Sequence, residues 1–170
     1  MKAYAVYAIA TALAALNGAP VVAAPVAPHP PLSKLGKQML AAQHGKARKV
    51  CPDAAYVAMP IYPGSLCVSN TTISSNGRKD PLEVLVLVSN DAVAKVRGWY
   101  RKHLKGWKYN SEFGNYAPPG WSIRTIMSMP QVEIEKADDT SLWMYKIAYD
   151  LKGVHTLINI YYKPHRGARP

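Results

Sequence analysis

The chain of 170 residues carries 21 Lys and Arg against 10 Asp and Glu, a formal net charge of +11 at pH 7, with 49% hydrophobic residues and two cysteines. A chain of this length can bury a real core and fits one domain, which argues against a second. The charge excess bears on solubility and on the sign of the partner rather than on fold, and it favours anionic partners over cationic ones.

In chain order, Lys2 precedes an uncharged, Ala-rich run from Ala3 to Leu16, then the turn-forming Asn17-Gly18-Ala19-Pro20 and Val21-Val22-Ala23. This reads as a secretory signal peptide over residues 1–23, cut before Ala24, because the apolar run is shorter than the roughly 20 residues of a spanning helix. An uncleaved anchor and a cut shifted by a few residues are the alternatives, and neither changes the compartment. The expected location is therefore periplasmic or secreted, with no integral membrane span after cleavage. No cysteine stands near the cut, so lipoprotein acylation is not expected. Residues 24–32, Ala24-Pro25-Val26-Ala27-Pro28-His29-Pro30-Pro31-Leu32, are too Pro-rich for helix or sheet and read as an extended tether.

A single α+β domain is expected over residues 33–163. Ser33 is placed to cap a helix running to about Val50, with an apolar side and a solvent side carrying Lys34, Lys37, Lys46, Arg48 and Lys49 and no acid. Such a helix suits a solvated face, and a basic amphipathic helix can also lie on an anionic membrane. Cys51 and Cys67 form an even pair in a chain bound for an oxidising compartment and read as one disulfide, because a redox-active pair calls for closer spacing. Ala54 to Ile61 favours a strand, closed by the turn Tyr62-Pro63-Gly64-Ser65. A short strand follows over Leu66 to Val68, then an exposed loop over Asn70 to Asp80.

Leu82 to Val88 is almost continuously branched and apolar, with Glu83 its only charge, the pattern of a central strand covered on both faces. Ser89-Asn90-Asp91 offers an N-cap for a helix from Ala92 to Leu104, ended by Gly106, with Val93, Val96, Tyr100 and Leu104 on its core face. Trp107-Lys108-Tyr109 begins a strand, and Asn110 to Gly120 is a loop unusual in its aromatic content. Trp121 to Met129 alternates as a half-buried strand. Val132 to Ala137, Leu142 to Tyr149 and Val154 to Lys163 continue an antiparallel meander, and residues 164–170 form a basic tail. The whole predicts an antiparallel sheet of five or six strands with two main helices on one face.

Chemistry is sparse. No Gly-x-Ser-x-Gly elbow, no phosphate-binding glycine loop and no clustered metal ligands occur; His29, His44, His103, His155 and His165 are scattered. No catalytic residue, metal or cofactor is assigned. Glu133 and Glu135 share one side of a strand, but Val132 and Ile134 claim the core side, which leaves those acids to solvent. His103 is expected to pack beside its helix or reach water. What remains is positive charge interleaved with aromatics from Arg97 to Tyr109. The candidate anion-binding residues are Lys95, Arg97, Arg101, Lys102, Lys105 and Lys108, and the candidate loop contacts are Glu112, Phe113, Tyr116 and Trp121.

Tyr62-Pro63-Gly64, a hydrophobic strand ending in Ser89-Asn90-Asp91, then Lys95-Val96, Trp99-Tyr100, Leu104 and Gly106-Trp107 follow one another in an order that resembles small exported proteobacterial proteins of unassigned function. The resemblance spans Ala54 to Trp107. Those relatives typically carry Phe-Tyr where this chain has Trp99-Tyr100, and Gly98 is a departure inside the helix. The resemblance implies an α+β fold and supplies no catalytic residues. The expected function is an exported, non-catalytic protein that binds an anionic envelope component or an acidic protein, with nucleic acid disfavoured as a partner. An envelope-polymer hydrolase using Glu112, and a neutraliser (immunity or inhibitor protein) of a secreted toxin, are the alternatives.

Overall fold

A computed structural model describes residues 27–42, 51–52, 54–73, 82–125 and 128–165. The expected signal peptide, the second half of the first expected helix, most of the loop before Leu82 and most of the basic tail lie outside the described residues.

The core element is β2 (Leu82–Ser89), and its sequence explains the architecture. Successive strand residues point to opposite faces, so Leu85 and Leu87 enter one core while Val84, Val86 and Val88 enter another. A strand apolar on both sides needs a covering layer on each side. β2 pairs antiparallel with β1 (Leu66–Ile73) and with β6 (Thr156–Tyr162). The sheet continues through β5 (Gln131–Lys136), β4 (Asn115–Ala117) and β3 (Lys108–Asn110), giving six antiparallel strands in the order β1-β2-β6-β5-β4-β3. The α+β class and the antiparallel sheet stand as expected.

Among the described residues four helices complete it: α1 (Lys34–Ala42), the single turn α2 (Ala54–Val57), α3 (Val93–His103) and α4 (Asp139–Ala148). α3 covers the Leu85 face through Val96, Tyr100 and Leu104, joined there by Val57, Tyr62, Val132, Ile134, Ile158, Ile160 and Tyr162. The Val86 face is covered by Leu142 and Tyr145 of α4 with Leu151 and Leu157. α1 packs on α4, where Gly36 lies against the Ala148 carbonyl. The helices therefore stand on both faces rather than on one. The reason is already in β2, whose two apolar sides could not be served from one layer.

Four local expectations are corrected. Leu142 to Tyr149 is helical, because Asp138 accepts a hydrogen bond from Ser141 N–H (2.7 Å) while the Ser141 hydroxyl accepts from Asp138 N–H (2.9 Å), a capping box that starts α4. Leu142 and Tyr145, three apart, then face the sheet. Ala54 to Ile61 is no strand: after α2 the chain runs irregularly across the sheet face, with Val57 and Tyr62 buried beneath α3. Of the strand expected over Trp121 to Met129, the described residues form turns and irregular chain instead, since Thr125 Oγ1 accepts from Ser122 N–H (2.8 Å) and diverts backbone groups from a ladder, leaving Ile123 58% exposed. Within the expected loop, β3 and β4 form a hairpin whose turn is held by Asn110 Oδ1, which accepts from Glu112 N–H (2.9 Å).

At the start of α3, Ser89 Oγ accepts from Asp91 N–H (3.1 Å), and Ala92 stands at the cap position without a side-chain bond. Ser33 caps α1 as expected, accepting from Gly36 N–H at 2.9 Å. The disulfide is formed: Cys51 and Cys67 are joined with their Cα atoms 6.2 Å apart. Residues 27–32 form no helix and no strand, and they are docked rather than free. Pro28 O accepts from Cys67 N–H (3.0 Å), Pro31 O accepts from Asp150 N–H (2.8 Å), and Leu32 bridges to Tyr149.

Candidate anion-binding surface

The six cations expected on and after α3 divide once their surroundings are seen. Lys95 donates to Asp91 Oδ1 at 2.7 Å, and the Tyr62 hydroxyl donates to Oδ2 at 2.7 Å. These two bonds, the lysine's first, hold the Asp91 carboxyl below its ordinary pKa, so this ion pair persists at neutral pH. Lys95 is thus compensated. Arg97 turns inward: Nη2 donates to Ile134 O at 2.9 Å, its guanidinium lies 5.2 Å from the Tyr109 ring centre, and the Tyr116 hydroxyl donates to Arg97 O at 2.9 Å. Arg97 ties α3 to β3, β4 and β5 instead of offering its charge to solvent.

Arg101, Lys102, Lys105 and Lys108 are exposed. Among the described residues none of them pairs with a carboxylate. Arg101 and Lys102 also lie in the last turn of α3, where cations complement the helix dipole, so part of their presence is structural. Arg101 stands one turn beyond Arg97, and its charge reaches the Tyr116 hydroxyl. On the other flank His103 stacks on Trp99 at 3.9 Å between ring centres.

Beside Lys108 the β3–β4 hairpin and the segment after it form a groove of about 490 Å³, lined by Lys108, Tyr109, Pro119, Gly120 and Trp121 among others. Pro118 to Trp121 make a tight turn: Trp121 N–H donates to Pro118 O (3.2 Å), with Gly120 at φ +85°. That positive φ is the reason for glycine in this place. The turn sets the indole of Trp121 against Phe113, with ring centres 5.4 Å apart. Trp121 Nε1 is buried and has no hydrogen-bond partner. Of the four expected loop contacts, Phe113 and Trp121 meet here and Glu112 sits exposed at the hairpin tip. Tyr116 does not join them; it is buried and belongs to the core beneath Arg97.

The carboxylates are accounted for elsewhere. Glu83, the lone charge of β2, accepts from the hydroxyls of Tyr56 and Tyr162 (each 2.7 Å) and from Asn70 Nδ2 (3.0 Å). The bond to Glu83 is the leading reason that the Tyr56 hydroxyl is pushed up to about 12. A single acid in an otherwise apolar strand was the available signal, but its three partners come from distant parts of the chain. Glu133 accepts from Tyr161 OH at 2.9 Å, and burial raises its carboxyl above the usual range. Burial, followed by the nearby Asp138, raises Glu135 as well. Glu133 is half-buried rather than left to open solvent, because α4 lies over its side of the sheet, whereas Glu135 is exposed as expected.

His29, Cys51 and Cys67 bring three potential metal-ligating atoms within 4.8 Å of one another, although the disulfide takes both sulfurs. No helix among the described residues is long and apolar enough to cross a membrane. No family model, curated protein or solved structure matches this chain.

Proposed function

We propose that this is an exported, non-catalytic binding protein of the periplasm or the secreted space, which takes an anionic envelope component or an acidic protein on the surface formed by Arg101, Lys102, Lys105 and Lys108. The observation that carries this reading is the set of four exposed cations without a carboxylate partner among the described residues, of which Lys108 lines an aromatic groove. Cations supply affinity for phosphate or carboxylate groups, and the flat faces of Tyr109 and Trp121 suit a sugar ring or an apolar side chain next to that charge. The formed disulfide is consistent with an oxidising compartment.

The test is titration of the full chain with lipopolysaccharide and with an acidic envelope glycan at low and high salt. Binding should weaken steeply as salt screens exposed charges, and Lys102→Glu combined with Lys105→Glu should weaken it at least tenfold while the thermal melt is unchanged. A tight one-to-one complex with one protein that persists in high salt would favour toxin neutralisation instead. Hydrolysis of an envelope polymer that Glu112→Gln abolishes would replace binding by catalysis.

A further inference from the structure

α4 turns Leu142 and Tyr145 to the sheet and leaves its other side uncovered. Trp143 is 60% exposed, Met144 56% and Ile147 39%. Trp143 and Ile147 are one turn apart, and Met144 follows Trp143 by about 100° of rotation, so the three share one solvent-facing sector. Leu35, on the α1 helix that packs against α4, is 49% exposed. A concentration of large apolar side chains in water marks an interaction surface rather than ordinary surface scatter.

The cleft that adjoins this patch holds four lysines and three aspartates. Lys34 and Lys37 of α1 and Lys146 of α4 border one cleft between the two helices. Of the acids there, Asp138 is spent on the helix cap, Asp139 pairs with Lys146 and Asp150 pairs with Lys152. Lys34 and Lys37 have no carboxylate partner among the described residues. Apolar side chains that include a tryptophan, with the unpaired Lys34 and Lys37 on the neighbouring helix of a molecule of net charge +11, complement the boundary between acyl chains and anionic headgroups. A second copy docked face to face would set the same lysines against one another.

We infer that the outer face of α1 and α4 docks on an anionic phospholipid bilayer, with Trp143, Met144 and Ile147 entering the interfacial layer and Lys34 and Lys37 meeting lipid phosphates. This face lies across the sheet from α3, so a docked molecule presents its α3 surface away from the bilayer. The inference does not depend on what α3 binds.

The experiment mixes the full chain with phosphatidylcholine vesicles, with and without phosphatidylglycerol, and follows co-sedimentation and the quenching of tryptophan fluorescence by acyl-brominated lipid. Partition into the anionic vesicles is expected to exceed that into neutral ones at least tenfold. Trp143→Phe should remove most of the quenching with little loss of binding. Trp143→Ser with Ile147→Ser, and separately Lys34→Gln with Lys37→Gln, should each lower partition about tenfold. Each variant should keep the parent's circular dichroism and melt. Lys102→Glu with Lys105→Glu should leave the quenching in place, which separates this surface from the α3 surface. Equal partition into neutral and anionic vesicles, no partition at all, or loss of binding in the α3 variant alone would each overturn the inference. So would a dimer in sedimentation velocity that Trp143→Ser dissociates in the absence of lipid binding.

Discussion

Glu83 and Glu133 lie on opposite faces of the sheet, and each is roofed by tyrosine hydroxyls. They differ in balance. Three donors reach Glu83, whereas Glu133 is half-buried beneath α4 with one good donor and an Asn159 contact at 3.5 Å, so desolvation dominates and its carboxyl is raised. A carboxyl with a folded pKa above its unfolded value stabilises the fold fully below the unfolded value of about 4.3 and loses that contribution as pH rises through the raised value. Glu133→Gln keeps an acceptor for Tyr161 and removes the half-buried charge. It should therefore melt higher than the parent at pH 7, with the advantage shrinking towards nothing near pH 4, as thermal scans across that interval will show. The sequence alternation correctly set Glu133 opposite Val132 and Ile134. The solvent expected there is replaced by α4, which was invisible while Leu142 to Tyr149 read as a strand.

At the scale of elements, two glycines inside helices make opposite predictions. A Cβ on Gly36 would stand 2.0 Å from Ala148 O, which is backbone and cannot turn aside, so Gly36→Ala must push α1 off α4. The expected cost is about 1–3 kcal/mol. Gly98 meets nothing within 4 Å, and Gly98→Ala should stabilise α3 by about 0.5–1 kcal/mol, the helix preference for alanine. Urea unfolding of both variants checks the pair. β2 and α3 were legible because each carries a strong apolar period: nearly continuous in one, helical in the other. α4 was missed because Trp143, Tyr145, Ile147 and Tyr149 can be read into strand alternation, while the decisive sign, Asp138 followed three residues later by Ser141, is polar and lies at its edge. The same weakness applies to Trp121 to Met129, where Ser122 and Thr125 bond locally and cancel the apolar pattern. The cationic half of the candidate surface could be found from composition, but the inward turn of Arg97 depends on Tyr109 and Ile134, which only the folded sheet brings near.

For the whole molecule, the covalent link between Cys51 and Cys67 lies within one apolar layer, the Leu85 core, which Cys67 joins as a buried member and Cys51 packs against. The link has a sequence separation of 16, and opening it releases a loop for which chain entropy gives on the order of 3 kcal/mol. Urea unfolding with and without a dithiol reductant should differ by about that amount, and Cys51→Ser should match the reduced protein. Cys67 is also where residues 27–32 attach: its N–H donates to Pro28 O, and its carbonyl lies 3.1 Å from His29 Nδ1. Among the described residues β1 has a strand, β2, on one side only, so its other side is an edge of backbone donors and acceptors, the sort of margin on which strange chains nucleate fibrils. The docked proline-rich segment occupies that margin at Cys67, and proline, which has no amide hydrogen, cannot pass the pairing on. The far margin is β3, three residues long and starting with a lysine. A stretch with neither helix nor strand of its own thus helps keep a six-stranded sheet from growing a seventh strand borrowed from a neighbour.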